Sequence, residues 1–147
     1  MDELKAALKI LLADVFVVYF KAHSYHWNVE GSNFSEYHRF FGELYEDLQG
    51  AIDTTAEELR ACGEYAPISL ENLYSFKTIE EDSDQPTNAK QMFGRLTAAN
   101  DQLIETLNKV FTTASSANEQ GVADYAAGRI DAHKKHGWML RSFMKGE

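Results

Sequence analysis

Apolar residues recur every three or four positions in four separate stretches of this chain, and this spacing constrains its fold most. Residues spaced in this way share one face of an α-helix. The first stripe comprises Leu4, Leu8, Leu11, Val15, Val18 and Ala22, and the second comprises Tyr37, Phe41, Leu44, Leu48, Ile52, Thr55 and Leu59. The third comprises Met92, Leu96, Ala99, Leu103, Leu107 and Val110, and the fourth comprises Val122, Ala126, Ile130, His133, Gly137, Leu140 and Met144. Because no stretch alternates with a period of two over any length, the pattern predicts four long helices and no sheet.

Turn-forming residues indicate where these helices begin and end. The first helix is predicted to end near Trp27, before a polar turn, and the second is predicted to stop at Gly63. Glycine is common immediately after the last helical residue because it adopts a positive φ without strain. The third helix is predicted to begin after Pro86, with Thr87 as its N-cap.

A long connection separates the second stripe from the third. It contains a short apolar piece, SLENLYSF at residues 69–76, that could form a helix, and an acidic loop, EEDSD at residues 80–84. Connections of this length are unusual in compact bundles. The length fits a crossover that makes the second and third long helices parallel, as in ferritin-like bundles. The predicted fold is therefore an all-α, ferritin-like four-helix bundle with a short extra helix in this connection, forming a single domain over residues 1–147.

Composition narrows the functional classes. The hydrophobic content is 44%, which supports a real core, and the longest apolar run, residues 10–20, is interrupted by Asp14, so no membrane span is predicted. The single Cys62 and the lack of a signal-peptide pattern favour a cytoplasmic location. The formal net charge is -9 and no basic tail precedes the first helix, so DNA binding is not expected. An acidic balance suits a protein that attracts cations.

The stretch HSYHWNVEGSNFSEYH, residues 23–38, contains three of the five histidines. Two of them, His26 and His38, flank a turn, and a carboxylate pair, Asp53 and Glu57, follows on the second helix. The spacing of four residues places both carboxylates on one helix face. Histidine nitrogen with carboxylate oxygen is the ligand set of zinc, iron or manganese sites, so these four residues are candidate metal ligands.

Helix geometry constrains how these ligands can meet. His38 and Asp53 are fifteen residues apart on one predicted helix, which separates them by roughly 22 Å. Metal–ligand bonds are only about 2 Å long, so one copy of the chain cannot bring both residues to the same ion. Two copies packed antiparallel about a two-fold axis would join His38 of one to Asp53 and Glu57 of the other, twice. An intrachain di-iron site is disfavoured, because no histidine follows an acidic residue by three positions.

The segment HWNVEGSNFSEYHRFFGELYEDLQGAIDTTAEEL resembles the signature of the Dps proteins, or mini-ferritins, and HKKHGWMLRSF resembles their last helix. The shared pattern is His-Trp-Asn, a glycine, a phenylalanine, a second histidine twelve positions after the first, and then Asp-x-x-x-Glu. The resemblance covers nearly the whole chain. It implies a hollow homo-dodecamer that oxidises Fe(II) with hydrogen peroxide or oxygen at a ferroxidase centre shared between subunits, and that stores the ferric mineral.

The resemblance also implies roles for individual residues. His26 and His38 would bind iron from one subunit, and Asp53 and Glu57 from its partner, with Glu57 bridging two irons. Trp27 would lie beside the site as an electron donor or radical trap, although a plain core aromatic is an equal alternative.

The sequence departs from the family pattern at one position. The family usually has an acidic residue four positions after the second histidine, where this chain has Gly42. The neighbouring Glu43 is rotated by about 100° around the helix, and Glu46 lies one further turn along. A weaker second iron position is therefore expected, together with some packing or functional reason for the glycine.

Several other polar residues have two interpretations, one functional and one structural. His23 is expected to be a hydrogen-bonded neighbour of the site, with a role as an auxiliary ligand as the alternative. His133 and His136 are expected to be structural. In the family, acidic residues near the start of the last helix line iron-entry pores. Glu119 and Asp124 are the candidates here, with complementation of the helix dipole as an equal alternative.

The sequence thus predicts an iron-sequestering ferroxidase that protects against oxidative damage. The sequence leaves two alternatives open. One is a passive cage with a weakened metal centre, which Gly42 alone supports, and the other is a DNA-associated structural protein.

Overall fold

The computed structural model describes residues 1–146 and contains five α-helices in that range. They are α1 (Asp2–Asn28), α2 (Phe34–Ala61), α3 (Leu70–Tyr74), α4 (Ala89–Ser116) and α5 (Gln120–Met144). The four long helices and the short α3 in the connection confirm the predicted all-α fold. Within residues 1–146, none of the helices combines the length and the apolar character that a membrane span requires.

The apolar stripes predicted from the sequence face the core. Every member of the first and third stripes is buried. In the second and fourth stripes, only Ile52, Ile130 and Met144 are partly exposed. Burying a leucine or phenylalanine side chain contributes about 1.5–3 kcal/mol, so this one core is the main source of stability for all four long helices.

Contacts between side chains fix the directions of the helices. Lys9, near the start of α1, forms a 3.0 Å ion pair with Glu64, just beyond the end of α2, so these two helices run antiparallel. Tyr37 and Phe93 lie near the N-terminal ends of α2 and α4, and their rings are 5.0 Å apart. The helices α2 and α4 are therefore parallel, and residues 62–88 form the predicted crossover.

One of the predicted helix ends agrees with the structure, and another differs from it. Gly63 has a φ of +90° just after the end of α2, as predicted for a helix-terminating glycine. The prediction of Thr87 as the N-cap of the next long helix is wrong. Asn88 takes this position, and its side-chain oxygen accepts a hydrogen bond from the Gln91 N–H at 2.9 Å. Both residue types are good N-caps, so the sequence alone did not separate these neighbours.

Asp14 attaches the crossover to the core. Its carboxylate is fully buried, and Oδ1 accepts hydrogen bonds from the backbone N–H groups of Thr78 (2.7 Å) and Ile79 (3.1 Å). Oδ2 accepts from the hydroxyls of Thr78 (2.6 Å) and Thr106 (2.9 Å). One carboxylate on α1 thus joins the crossover to α4.

Asp82 holds the acidic loop at a second point. It lies 2.6 Å from Lys21 Nζ, accepts a 2.5 Å hydrogen bond from the Tyr25 hydroxyl, and pairs with Arg95 of α4 at 3.3 Å. Burial raises the pKa of Asp82, but the hydrogen bonds from Lys21 and Tyr25 outweigh burial and hold this pKa below its usual range. Burial and the Asp82 carboxylate raise the pKa of Tyr25. The loop is therefore fastened by a charged network.

A third polar network joins α2, α4 and α5. Arg129 donates to both carboxylate oxygens of Asp47 at 3.0 and 2.7 Å, and His136 Nε2 lies 2.8 Å from the same carboxylate. Arginine only donates, so His133 Nε2 accepts the 2.9 Å contact from Arg129 and Nδ1 carries the proton toward Asn100 Oδ1. Burial raises the pKa of Asp47, but the hydrogen bonds from His136 and Arg129 outweigh burial and hold this pKa well below its usual range.

His133 makes the stability of the protein sensitive to acid. Burial, followed by the nearby charge of Arg129, lowers its pKa to about 3, whereas an unfolded histidine titrates near 6.5. Protons therefore bind the unfolded chain first, and stability falls as the pH drops below 6.5. We expect a loss of about 2–3 kcal/mol in the free energy of unfolding between pH 6.5 and 4.5, measured by urea denaturation.

The variant His133→Asn provides the control for this pH dependence. Its stability should change much less over the same range, because Asp47 begins to titrate only at lower pH. The groups around the imidazole are Arg129 and His136 on α5, Asp47 on α2 and the neutral Asn100 on α4. Equal slopes for the two proteins would contradict the assignment to His133.

Candidate metal centre

His26 and His38 lie together where the end of α1 meets the start of α2. Their rings are stacked, with centroids 3.7 Å apart and planes inclined by 18°. Nδ1 of His26 lies 2.6 Å from the backbone oxygen of His38, and Nδ1 of His38 lies 2.7 Å from the backbone oxygen of His26. Each ring is thus held by the backbone of the other residue.

These reciprocal hydrogen bonds determine which nitrogen can bind a metal. A carbonyl oxygen only accepts, so Nδ1 must carry the proton in both rings. Each Nε2 therefore keeps its lone pair, and neither Nε2 has a hydrogen-bond partner within residues 1–146. A histidine that donates from one nitrogen and leaves the other free has the arrangement typical of metal ligands. The two imidazoles are thus held in place, and each leaves Nε2 available to a metal ion.

Aromatic side chains surround the histidine pair. His23 stacks on Tyr45 at 3.8 Å, and its Nδ1 is hydrogen-bonded to the Tyr19 hydroxyl at 2.9 Å. Burial, together with the nearby His26, lowers the pKa of His23. The expectation that His23 is a hydrogen-bonded neighbour agrees with these contacts.

Trp27 lies on the surface beside His23. The two rings are 4.1 Å apart, and 56% of the tryptophan is exposed. The alternative that Trp27 is a core aromatic of this chain is therefore wrong. Phe20 and Phe34 are also exposed, at 48% and 42%, and contact Trp27 and His38 respectively.

Asp53 and Glu57 lie far from His26 and His38 of their own chain. The helix α2 is continuous from Phe34 to Ala61, so the rise of about 1.5 Å per residue separates His38 from Asp53 by roughly 22 Å. Both carboxylates are exposed, and neither has an ion pair or hydrogen bond within residues 1–146. No group of three or more metal-binding side chains comes together within that range. One copy therefore keeps the two candidate ligand pairs apart.

Gly42 is buried one turn after His38 and faces the His26 ring. A Cβ atom added at this glycine would lie 3.1 Å from both Cε1 and Nδ1 of His26. Ordinary contacts between such atoms are longer, so the ring occupies the space that a side chain at position 42 would need. The packing reason expected for a glycine within this helix is thus visible.

The remaining candidate residues lie elsewhere. Glu43 and Glu46 are exposed on α2, Glu119 is the N-cap of α5 without a side-chain cap hydrogen bond, and Asp124 is exposed in the second turn. His133 and His136 belong to the network with Asp47, as expected for structural histidines. Sequence reasoning missed the roles of Asp14 and Asp47. The only available signal for Asp14 was a carboxylate within an apolar helix.

Comparisons with known proteins agree with this architecture. The model of the ferritin-like domain family matches residues 5–146. The low temperature-induced protein of Nostoc sp. is 34% identical over 137 residues, covering 92% of this chain and 76% of that protein. A Dps protein from Bacillus brevis has 30% identity and a TM-score of 0.91, over 96% of this chain and 94% of that one.

A Dps protein from Vibrio cholerae, described as a member of a broad superfamily of ferritin-like diiron-carboxylate proteins, is 27% identical. Its TM-score is 0.91, over 97% of this chain and 89% of that one. The bundle, the crossover and the matched domain place the fold in the ferritin-like superfamily. Within that superfamily, the chain belongs to the Dps family.

Proposed function

We propose that this protein is a ferroxidase that oxidises Fe(II) with hydrogen peroxide or oxygen and stores the ferric product inside a hollow homo-oligomer, a dodecamer. The observation that carries the proposal is the separation of one candidate ligand set between the two ends of the continuous helix α2, with His26 of α1 beside its first turns. His26 and His38 present free nitrogen donors at one end, and Asp53 and Glu57 present free carboxylates at the other.

The oxidation centre then forms between two copies of the chain. An antiparallel pairing of α2 helices about a two-fold axis brings the histidines of one copy to the carboxylates of the other, and the symmetry generates two centres. The exposed aromatic side chains Phe20, Trp27 and Phe34 support this pairing, because association would bury them.

The stacking of the two imidazoles favours two neighbouring iron positions. Each Nε2 lone pair lies in the plane of its own ring, and the stacked rings are 3.7 Å apart. Each imidazole would therefore supply its own Nε2 to a separate ion. Separations of about 3.5–4 Å are usual in two-metal sites, and Glu57 of the second copy would bridge the ions.

The donor set fits iron as a substrate. Carboxylate oxygens are hard ligands that favour Fe(III) over Fe(II) and so promote the loss of an electron, while imidazole binds both states. One peroxide accepts two electrons, one from each of two Fe(II) ions, and leaves as two hydroxide equivalents. Removing Fe(II) and peroxide together prevents hydroxyl-radical formation, which would protect the cell from oxidative damage.

The residues around the centre would modify this reaction. Trp27, whose ring lies 4.1 Å from that of His23, would supply an electron when only one Fe(II) is bound. Because Gly42 provides no carboxylate, we expect the second iron position to be weaker. The formal net charge of -9 argues against contact with DNA, so the proposal does not include it.

A rapid-mixing assay of Fe(II) oxidation by peroxide tests the proposal. The wild-type protein should oxidise Fe(II) at least about 10-fold faster than His38→Ala, since loss of one imidazole removes the nitrogen donor of one iron position. Absorbance of the ferric product follows the rate. A wild-type rate equal to that of His38→Ala would instead favour a passive cage.

A further inference from the structure

Gly42 is the position at which this chain departs from its family pattern, and its surroundings show what the glycine permits. A side chain there would place Cβ 3.1 Å from Nδ1 and Cε1 of His26. Nδ1 is the atom that donates the 2.6 Å hydrogen bond to the His38 backbone oxygen. An added side chain would thus crowd His26 Nδ1, the atom whose hydrogen bond holds the ring in place.

The His26 ring has little freedom to move away. One face stacks on His38 at 3.7 Å, and the ring of Tyr45 lies edge-on at 5.2 Å. A shift of a few tenths of an ångström relieves the contact, but it would lengthen the Nδ1 hydrogen bond or tilt the ring on His38, and either change would move Nε2. The strain of a side chain at position 42 therefore falls on the metal-binding nitrogen.

We propose that Gly42 is a positioning residue for His26. The centre lacks a carboxylate at this position because the space is taken by the His26 imidazole, which a hydrogen bond from its Nδ1 to the His38 backbone oxygen holds in place. This inference rests on the proposed function, and it reverses the expectation from the family pattern. Restoring an acidic residue with Gly42→Asp should weaken metal binding and should not build a second strong position.

Gly128 provides a matched control within α5, away from the proposed pairing of α2 helices. It is exposed, and a Cβ added there meets nothing within 4 Å. Alanine in place of either glycine improves helix propensity equally, so a difference between the two variants isolates the contact with His26. The comparison uses the assembled full-length protein in each case.

The first measurement is the unfolding midpoint of the metal-free proteins. Gly128→Ala should raise the midpoint, and Gly42→Ala should leave it unchanged or lower it. The second is calorimetric titration with Co(II), which binds such ligands and is not oxidised under these conditions. We expect Gly42→Ala and Gly42→Asp to weaken the tightest Co(II) binding by about 10- to 100-fold, with Gly128→Ala unchanged.

Two results would overturn the inference. One is an equal rise in the unfolding midpoint for both alanine variants together with unchanged Co(II) affinity. The other is a second tight Co(II) equivalent in Gly42→Asp. If the wild-type protein binds no Co(II) and oxidises no Fe(II), the proposed function fails, whereas the comparison of midpoints still decides whether Gly42 makes room for His26.

Discussion

Replacing Asp53 by Asn and Glu57 by Gln in one chain is expected to lower the rate of Fe(II) oxidation at least about 100-fold. The pair supplies every carboxylate of the proposed centre, and therefore all of its negative charge and its preference for Fe(III). The expected loss is informative because these residues lie roughly 22 Å from the histidines of the same chain. Stopped-flow absorbance of the ferric product measures it.

The chain contains a close control for this double variant. Asp101 and Glu105 form a second exposed Asp-x-x-x-Glu pair. This pair lies on α4 and is distant in sequence from His26 and His38. Asp101→Asn with Glu105→Gln changes the net charge equally and should retain most of the activity. If the two double variants lose activity equally, general attraction of cations by the acidic surface would explain the effect, and the assignment of Asp53 and Glu57 as ligands would be wrong.

The largest effect on stability is expected for Asp14→Ala. The substitution removes a buried carboxylate and leaves two backbone N–H groups and two hydroxyls without their acceptor. Buried polar groups without partners are costly, and we expect a loss of about 3–5 kcal/mol in the free energy of unfolding. Chemical denaturation of the variant measures this loss.

Two further variants make the Asp14 result specific. Asp14→Asn keeps an acceptor for the Thr78 and Ile79 N–H groups and should cost clearly less than alanine. Asp131→Ala removes an exposed carboxylate whose ion pair with Lys135 lies on the surface, so it should change stability by less than about 1 kcal/mol. Equal costs for Asp14→Ala and Asp131→Ala would show that the crossover does not depend on the buried carboxylate.

The sequence predicted the helices because their periodicity is local. The spacing from Leu4 to Ala22 or from Met92 to Val110 needs no knowledge of the partner helices, and the stripes are buried as expected. The separation of His38 from Asp53 was equally accessible, because the rise of a helix is fixed and α2 proved continuous.

The details that escaped prediction depend on tertiary contacts. Asp14 meets donors 64, 65 and 92 residues away, and Asp47 meets partners 82 and 89 residues away. Nothing in the local pattern indicates these pairings. The reason for Gly42 likewise depends on the His26 ring on another helix. The sequence showed that a carboxylate was missing there but not that the space was filled.

Co-assembly of two inactive variants tests most directly whether neighbouring chains share the centre. One variant carries His26→Ala with His38→Ala, and the other carries Asp53→Asn with Glu57→Gln. In a random equal mixture, about a quarter of the centres combine intact histidines with intact carboxylates. We predict that the mixed oligomer regains about a quarter of the wild-type rate of Fe(II) oxidation, whereas a rate no higher than that of either variant alone would contradict a centre built from two subunits.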